Sequence, residues 1–219
     1  MIKYYILKQY NQNLKDMALF IDTETNGLPN MKDMVWGKYP DFYDLDKYNT
    51  ARIVQLSFIV TDKVFNKIDL QDYIIKREGF NINNCEFHSI TDEISDKDGV
   101  DFNDAFYAFY ESLLKTTHIF AHNIEFDISV IKSELYRRGL YYIIEEIDKK
   151  RLLCTMRHTK NIIKIVNKFG KYKYPSLKEL YRFCFDKEIE NAHNSKYDVI
   201  NLYDSIKKLY DDKNLYYSL

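Results

Sequence analysis

The sequence predicts an α/β domain in which a mixed sheet is sandwiched between helices. Three observations lead there. Three runs rich in branched residues, 18–22, 52–61 and 67–75, come before any helical periodicity. Past residue 100, helical spacing alternates with short apolar runs. The chain has 219 residues, 46% of them hydrophobic and 16% aromatic, enough to bury one sizeable core.

Taken in order, residues 18–22 read as a short buried strand. Residues 52–61 (RIVQLSFIVT) and 67–75 follow as a strand pair joined by a turn over 62–66. A helix is expected over 102–114, where Phe102, Ala105, Phe106, Phe109 and Leu113 keep the 3, 4, 7 spacing. His118–Ala121 reads as a fourth strand, and a helix starting close to Phe126 should run to Arg138 and stop at Gly139. Residues 151–155 read as a fifth strand, and helices over 176–185 and 195–210 close the chain. With no repeat, no low-complexity linker and three prolines, residues 17–219 are expected to form a single domain behind an N-terminal extension, 1–16. The connection 28–51 is long and aromatic (Trp36, Tyr39, Phe42, Tyr43, Tyr48). It is either a self-packed cluster or a wall on which bases stack.

No run of about 18 apolar residues is present, and the first residues are too polar and interrupted for a secretory signal. The expectation is an intracellular, reducing location, cytoplasmic or nuclear, without membrane contact. Cys85, Cys154 and Cys184 fit buried thiols, because their number is odd and no CxxC occurs. The net charge of −1 hides an asymmetry. Residues 149–182 hold eleven Lys or Arg and one acid, Glu179, a balance of +10 that leaves −11 for the rest. A basic segment beside an acidic site suits a phosphate-backbone groove.

The chemistry is carried by three short motifs: Asp22 and Glu24 in FIDTETNG, Asp127 in AHNIEFD, and His193 and Asp198 in HNSKYD. Asp22 and Glu24, at i and i+2, share one face of a strand and can share a cation. His193 and Asp198 are five apart, so a helix beginning near Ser195 takes the aspartate into its first turns and leaves the histidine on the preceding loop. Four carboxylates suit hard cations, and two such ions about 3.5–4 Å apart serve phosphodiester hydrolysis. A neutral histidine nearby can take the proton of the attacking water.

At these residues the chain resembles the DEDDh class of 3′-to-5′ exonucleases, which includes polymerase proofreading subunits and ribonuclease T. The resemblance runs from about Ala18 to about Leu209 and takes in FHSIT (87–91), LCTM (153–156) and PSLKELY (175–181). A sister class has tyrosine four residues before the last aspartate. Asn194 stands there and His193 one residue earlier, which indicates the histidine class. The resemblance implies a ribonuclease H-like three-layer sandwich with a five-stranded mixed sheet. It also implies two Mg²⁺ or Mn²⁺ ions on Asp22, Glu24, Asp127 and Asp198, with His193 as general base. For substrate contact it points to Leu28 as a wedge and Phe126 as a stacking group beside the terminal base, to His122 and Asn123, and to the backbone amides of Thr25 and Asn26 on the 3′ hydroxyl. His88 is read as shaping its loop.

The expected substrate is a single-stranded or frayed 3′ end, DNA favoured, released as 5′-mononucleotides. An RNA-trimming enzyme of the same chemistry is one alternative. Another is a docking module that holds a polymerase or other partner without cutting. A homodimer and a polymerase partner are further expectations.

Overall fold

The computed structural model describes residues 17–35, 37–190, 193–213 and 215; the expectations for 1–16 and for Trp36 lie outside the described residues. Five strands form one sheet in the order β3-β2-β1-β4-β5: β1 (Ala18–Thr25), β2 (Ile53–Thr61), β3 (Lys67–Ile74), β4 (His118–Ala121) and β5 (Arg151–Cys154). β1, β2 and β3 are antiparallel neighbours, whereas β4 and β5 add in parallel beside β1. The sheet is therefore mixed and α/β, as the pattern of runs predicts. The turn between β2 and β3 closes through Asp62, whose backbone N–H donates to Asn66 O and whose side chain accepts from the N–H groups of Val64 and Asn66. β3 forms one edge, and its first three residues are exposed.

The helices are α1 (Cys85–His88), α2 (Asp92–Asp98), α3 (Phe102–Leu113), α4 (Ile124–Arg137), α5 (Tyr141–Asp148), α6 (Thr155–Ile163), α7 (Leu177–Phe185) and α8 (Ser195–Asp211). α3, α4, α7 and α8 lie within two residues of the expected bounds. α1, α2, α5 and α6 were not anticipated. The first two are too short for periodicity to register, and α6 buries only Thr155 and Thr159, so it offers no apolar stripe. α5 does carry Ile143, Ile144 and Ile147 on one face.

Strand alternation builds two cores. Leu19 and Ile21 of β1 face one way, with Phe102, Phe106 and Phe109 of α3, Ile128 and Ile131 of α4 and Ile147 of α5. Ala18 and Phe20 face the other way, with Phe65, Phe120, Leu180 of α7 and Val199, Leu202 and Ile206 of α8. This is a three-layer sandwich. Of the cysteines only Cys154 is fully buried; Cys85 and Cys184 are half-buried free thiols, and burial pushes the Cys184 thiol up to about 11. Among the described residues no helix is long and apolar enough to cross a membrane.

The second core is organised by the Phe20 ring, which stacks on Phe120 with centroids 4.8 Å apart and meets Phe65 and Tyr203 edge-on at 5.8 and 5.6 Å. Phe120→Ala should therefore lower the unfolding free energy by about 3–5 kcal/mol, the usual cost of emptying a packed aromatic site. Urea titration followed by circular dichroism checks this, and a loss below about 1 kcal/mol would show that α8 collapses into the gap.

Candidate active site

β1 ends where three helix-bearing segments converge. Asp22 and Glu24 project from one face of it, and Asp198 arrives from the first turn of α8. One carboxylate oxygen from each of Asp22, Glu24 and Asp198 lies within 4.8 Å of the others. Asp127, from the first turn of α4, approaches from the opposite layer. Its Oδ1 accepts the Thr23 N–H at 3.1 Å and the Thr23 hydroxyl at 2.8 Å, and it is 3% exposed. It stands outside the 4.8 Å group, yet its charge acts on both Asp22 and Glu24.

Such crowding is costly to ionise. Burial, followed by the charges of Asp127, Asp198 and Glu24, holds Asp22 well above the usual carboxylate range. Burial first, then Asp198 and Asp127, pushes Glu24 up to about 8. Burial likewise raises Asp127, outweighing the two bonds from Thr23, and raises Asp198 against the opposing pull of His193 and Lys178. A set of acids that repel one another in a partly buried recess, with oxygens already in one cluster, fits hard divalent cations.

The α8 side of the site is set by a polar mesh that runs from buried Ser195, Ser57 and Gln55 out to Asp72, exposed on β3. Ser195 Oγ donates to Asp22 O at 3.0 Å and lies 2.6 Å from Ser57 Oγ, and the Ser195 N–H donates to Gln55 Oε1 at 3.2 Å. Gln55 Nε2 and Ser57 Oγ both donate to Asp72 Oδ1, at 2.7 and 2.8 Å. Asn194 caps the helix by accepting from Lys196 N. None of Gln55, Ser57, Asp72 and Ser195 stands out in the sequence. Their only trace there is polar residues at positions of β2 that are fully buried.

His193 sits on the loop before α8, as its spacing predicts, with a left-handed backbone (φ 65°). Its N–H donates to Asp198 Oδ2 at 3.0 Å, which fixes the plane of that carboxylate. The exposed imidazole faces the Phe87 ring edge-on at 6.4 Å. His193 and Asp198 open onto a groove of about 260 Å³ lined also by Ser176, Leu177, Lys178 and Ile189.

The remaining expected contact residues divide. Leu28 is 69% exposed at the end of the β1 loop, where an apolar wedge would stand, and is not core. Phe126 is half-buried, its ring 5.8 Å from Tyr39. The Asn26 N–H donates to Arg52 O at 2.8 Å, so that amide is not a free donor for a hydroxyl; Thr25 Oγ1 donates to Gly27 O. The Asn26 side chain joins Asn81 O and Asn83 N, and Asn84 Nδ2 donates to Thr25 O, stitching this turn to the loop before α1. Gly27 is needed for close approach, because a Cβ there would lie 2.9 Å from Thr50 O.

His122 and Asn123 both have side-chain partners within the fold. His122 Nε2 is 3.0 Å from the Pro175 carbonyl, which can only accept, so Nε2 carries the proton, and Nδ1 lies 3.0 Å from the Thr155 hydroxyl, which is also within 3.1 Å of the Ala121 carbonyl. Burial pushes this imidazole down to about 4, which keeps it neutral. It braces the segment before α7 against the start of α6. Asn123, left-handed at φ 75°, donates to the Tyr39 hydroxyl at 3.0 Å. Tyr39 thus brings the long connection to the site, whereas Phe42 and Tyr43 pack on Tyr136 of α4 and Tyr48 is buried in the first core, so these aromatics anchor the connection to the domain. His88, also buried, accepts the Ile90 N–H at its own turn, which is the expected loop-shaping role.

Comparison with solved structures finds the same fold. E. coli exonuclease I in complex with a dT13 oligonucleotide superposes with a TM-score of 0.67 at 18% identity, covering 89% of this chain and 41% of that one. Exonuclease I from Methylocaldum szegediense gives 0.65 at 18% identity, covering 90% and 41%. The chain spans about two fifths of the length of these structures. Comparison with curated protein sequences gives no match. The ribonuclease T family model, described as exonuclease, matches residues 19–205, which hold every carboxylate of the site. With that match over most of its length, and the ribonuclease H-like sandwich around it, the chain belongs to the ribonuclease T family of exonucleases, the DEDD class of 3′-to-5′ enzymes.

Proposed function

We infer that the protein removes nucleotides one at a time from single-stranded 3′ ends, DNA favoured, releasing 5′-monophosphates. In this reading Asp22, Glu24, Asp127 and Asp198 hold two Mg²⁺ or Mn²⁺ ions and His193 is the general base. The observation that carries it is the cluster of Asp22, Glu24 and Asp198 oxygens within 4.8 Å, with a histidine on the adjoining loop. A bound pair of hard cations would offset the carboxylate charges and stabilise the attacking and leaving oxygens of a phosphodiester.

The chain's own residues do the rest. The Thr23 N–H and hydroxyl fix one oxygen of Asp127, and the His193 N–H fixes one oxygen of Asp198, so both carboxylates are oriented before any ligand enters. The His193 ring, open to the groove, takes the proton of the attacking water at a ring nitrogen. Leu28 and Phe126 flank the terminal base, and Lys178 at the groove wall meets phosphate. The choice of DNA is supported by the complexes of E. coli exonuclease I with dT13 and dA16, the latter covering 91% of this chain with a TM-score of 0.66 at 20% identity.

Digestion of labelled single-stranded DNA and RNA in parallel, with Mg²⁺, Mn²⁺ or EDTA, tests the reading directly. Degradation in excess EDTA, or none with either cation, would refute it.

Two variants follow from the site. Asp22→Asn removes an acid that burial and its neighbours make costly to ionise, so the metal-free protein should melt higher, by about 2–4 °C for each kcal/mol relieved. The same variant should lose turnover and most of the Tm rise that Mg²⁺ gives the parent. Scanning calorimetry with and without the cation checks this, and an unaltered Mg²⁺ response would take Asp22 out of the ligand set.

His193→Ala should slow digestion by about 10²- to 10⁴-fold, the usual share of a positioned base. Mg²⁺-induced stabilisation should persist, since the carboxylates remain. Parental rates in this variant would remove the histidine from the mechanism.

A further inference from the structure

We propose that the hairpin of residues 165–173, between α6 and α7, is a docking arm that grips the single-stranded substrate behind its cleaved end. Phe169 stacks on a base, and Lys164, Lys168 and Lys171 meet phosphates. The proposal rests on the exonuclease reading above and assigns a place where the strand leaves the site.

The hairpin is held by its own bonds. Lys173 N donates to Ile165 O and Asn167 N to Lys171 O, each at 2.8 Å, while Val166 and Tyr172 form an antiparallel bridge. Asn167 organises the tip, its Oδ1 accepting from Phe169 N at 2.9 Å and Lys171 N at 3.1 Å, with Gly170 at φ 73° closing the turn. An element already ordered loses little entropy on binding.

What it presents is unusual for a solvent-facing turn. Phe169 is 73% exposed, Val166 57% and Tyr172 43%. By strand alternation Val166 and Tyr172 share one face, and Asn167, Lys171 and Lys173 share the other. Residues 164–178 hold five lysines and no acid. Elsewhere in the basic segment the charges are largely answered: Lys149 and Lys150 pair with Glu146, Arg157 with Glu125 and Arg182 with Glu188. Within the hairpin Lys173 is answered by Glu179 at 2.5 Å, so the positive charge that gathers beside the exposed rings is that of Lys164, Lys168 and Lys171. Exposed aromatics with interleaved lysines match single-stranded nucleic acid, whose bases stack and whose phosphates are anionic. A purely apolar protein partner would leave the lysines unanswered.

Its position suits the role. The chain after the hairpin is pinned by the His122 bond to Pro175 O, and Ser176, Leu177 and Lys178 then line the groove with His193 and Asp198. Ser176 follows Phe169 with six residues between them, so the tip lies within about 25 Å of the groove. A strand extending from the site by several nucleotides can reach it.

Fluorescence anisotropy with a 5′-labelled oligothymidine of about 16 nucleotides, in EDTA to prevent cutting, tests the arm. Phe169→Ala should raise Kd by about 5- to 150-fold, as for loss of one stacked base, while Phe169→Trp holds near the parental value. Combining Lys164→Glu, Lys168→Glu and Lys171→Glu should flatten the log Kd against log salt slope by about 2. Tyr107→Ala, an exposed aromatic on α3, serves as the control, and circular dichroism with Tm confirms folding of each variant. Equal loss in Phe169→Ala and Phe169→Trp would overturn stacking, and parental Kd with an unchanged salt slope in every variant would overturn the arm. If the parent degrades the oligomer in Mg²⁺ but these variants bind normally, the arm fails and the exonuclease reading stands. If the variants bind weakly and the parent never cuts, the reverse holds.

Discussion

Four carboxylates forced together at the end of β1 set the terms for everything around them. Each is raised by burial, and Asp22 and Glu24 are raised further by their neighbours, so the fold must hold the group in place against its own repulsion. Among the described residues it does so with neutral donors and no direct ion pair: Thr23 on Asp127, the His193 N–H on Asp198, and Ser195 on the backbone of Asp22. A lysine or arginine locked onto these acids would steady them and also occupy the place a cation needs. Full ion pairing is reserved for a distance. Buried Glu134 takes both Arg52 and Arg138, whose guanidiniums lie over Phe80 and Phe102, and the Arg52 carbonyl holds Asn26 at the edge of the site.

The two-core plan explains how residues so far apart in the chain arrive together. β1 serves both layers, so its end is where α4, on one face, and α8, on the other, can each bring their first turn to the same point. Asp127 and Asp198 occupy those first turns. Negative charge is also favoured there by the helix dipole, which offsets part of the burial cost. The serine and glutamine of β2 then lock α8 in register with β1, because Ser57 and Gln55 lie opposite Asp22 and Glu24 across the strand pair.

How much of this could be read from the chain follows the same physics. The five strands and the helices α3, α4, α7 and α8 carry apolar periodicity and are legible to within a few residues. Asp22 with Glu24 and His193 with Asp198 were legible because spacing places each on its element, and Asp127 because its motif resembles that of a known family. Gln55 and Ser57 were not, since a polar residue inside a strand gives no sign of whether it is buried against another polar group, and nothing local ties their partners Asp72 and Ser195 to them. His122 and Asn123 lie in a recognisable motif, yet their partners, Thr155, Pro175 and Tyr39, come from distant segments, so their bracing role appears only once the chain is folded. The hairpin at 165–173 was hidden by its brevity: the charge of the region was visible, its concentration beside exposed rings was not.

The outer strand of the sheet has a consequence for the life of the protein at high concentration. An open strand offers a row of unpaired amides to any passing extended chain. On β3 that row begins with Lys67 and Asp69, both exposed, and the Asp69 carboxylate accepts the Leu70 N–H at 2.9 Å, so part of the ladder is already capped by the strand's own side chain. At the far side β5 is only four residues long. Neither margin is a good template for strand addition, and the molecule should resist self-association through its sheet even when crowded on one nucleic-acid strand.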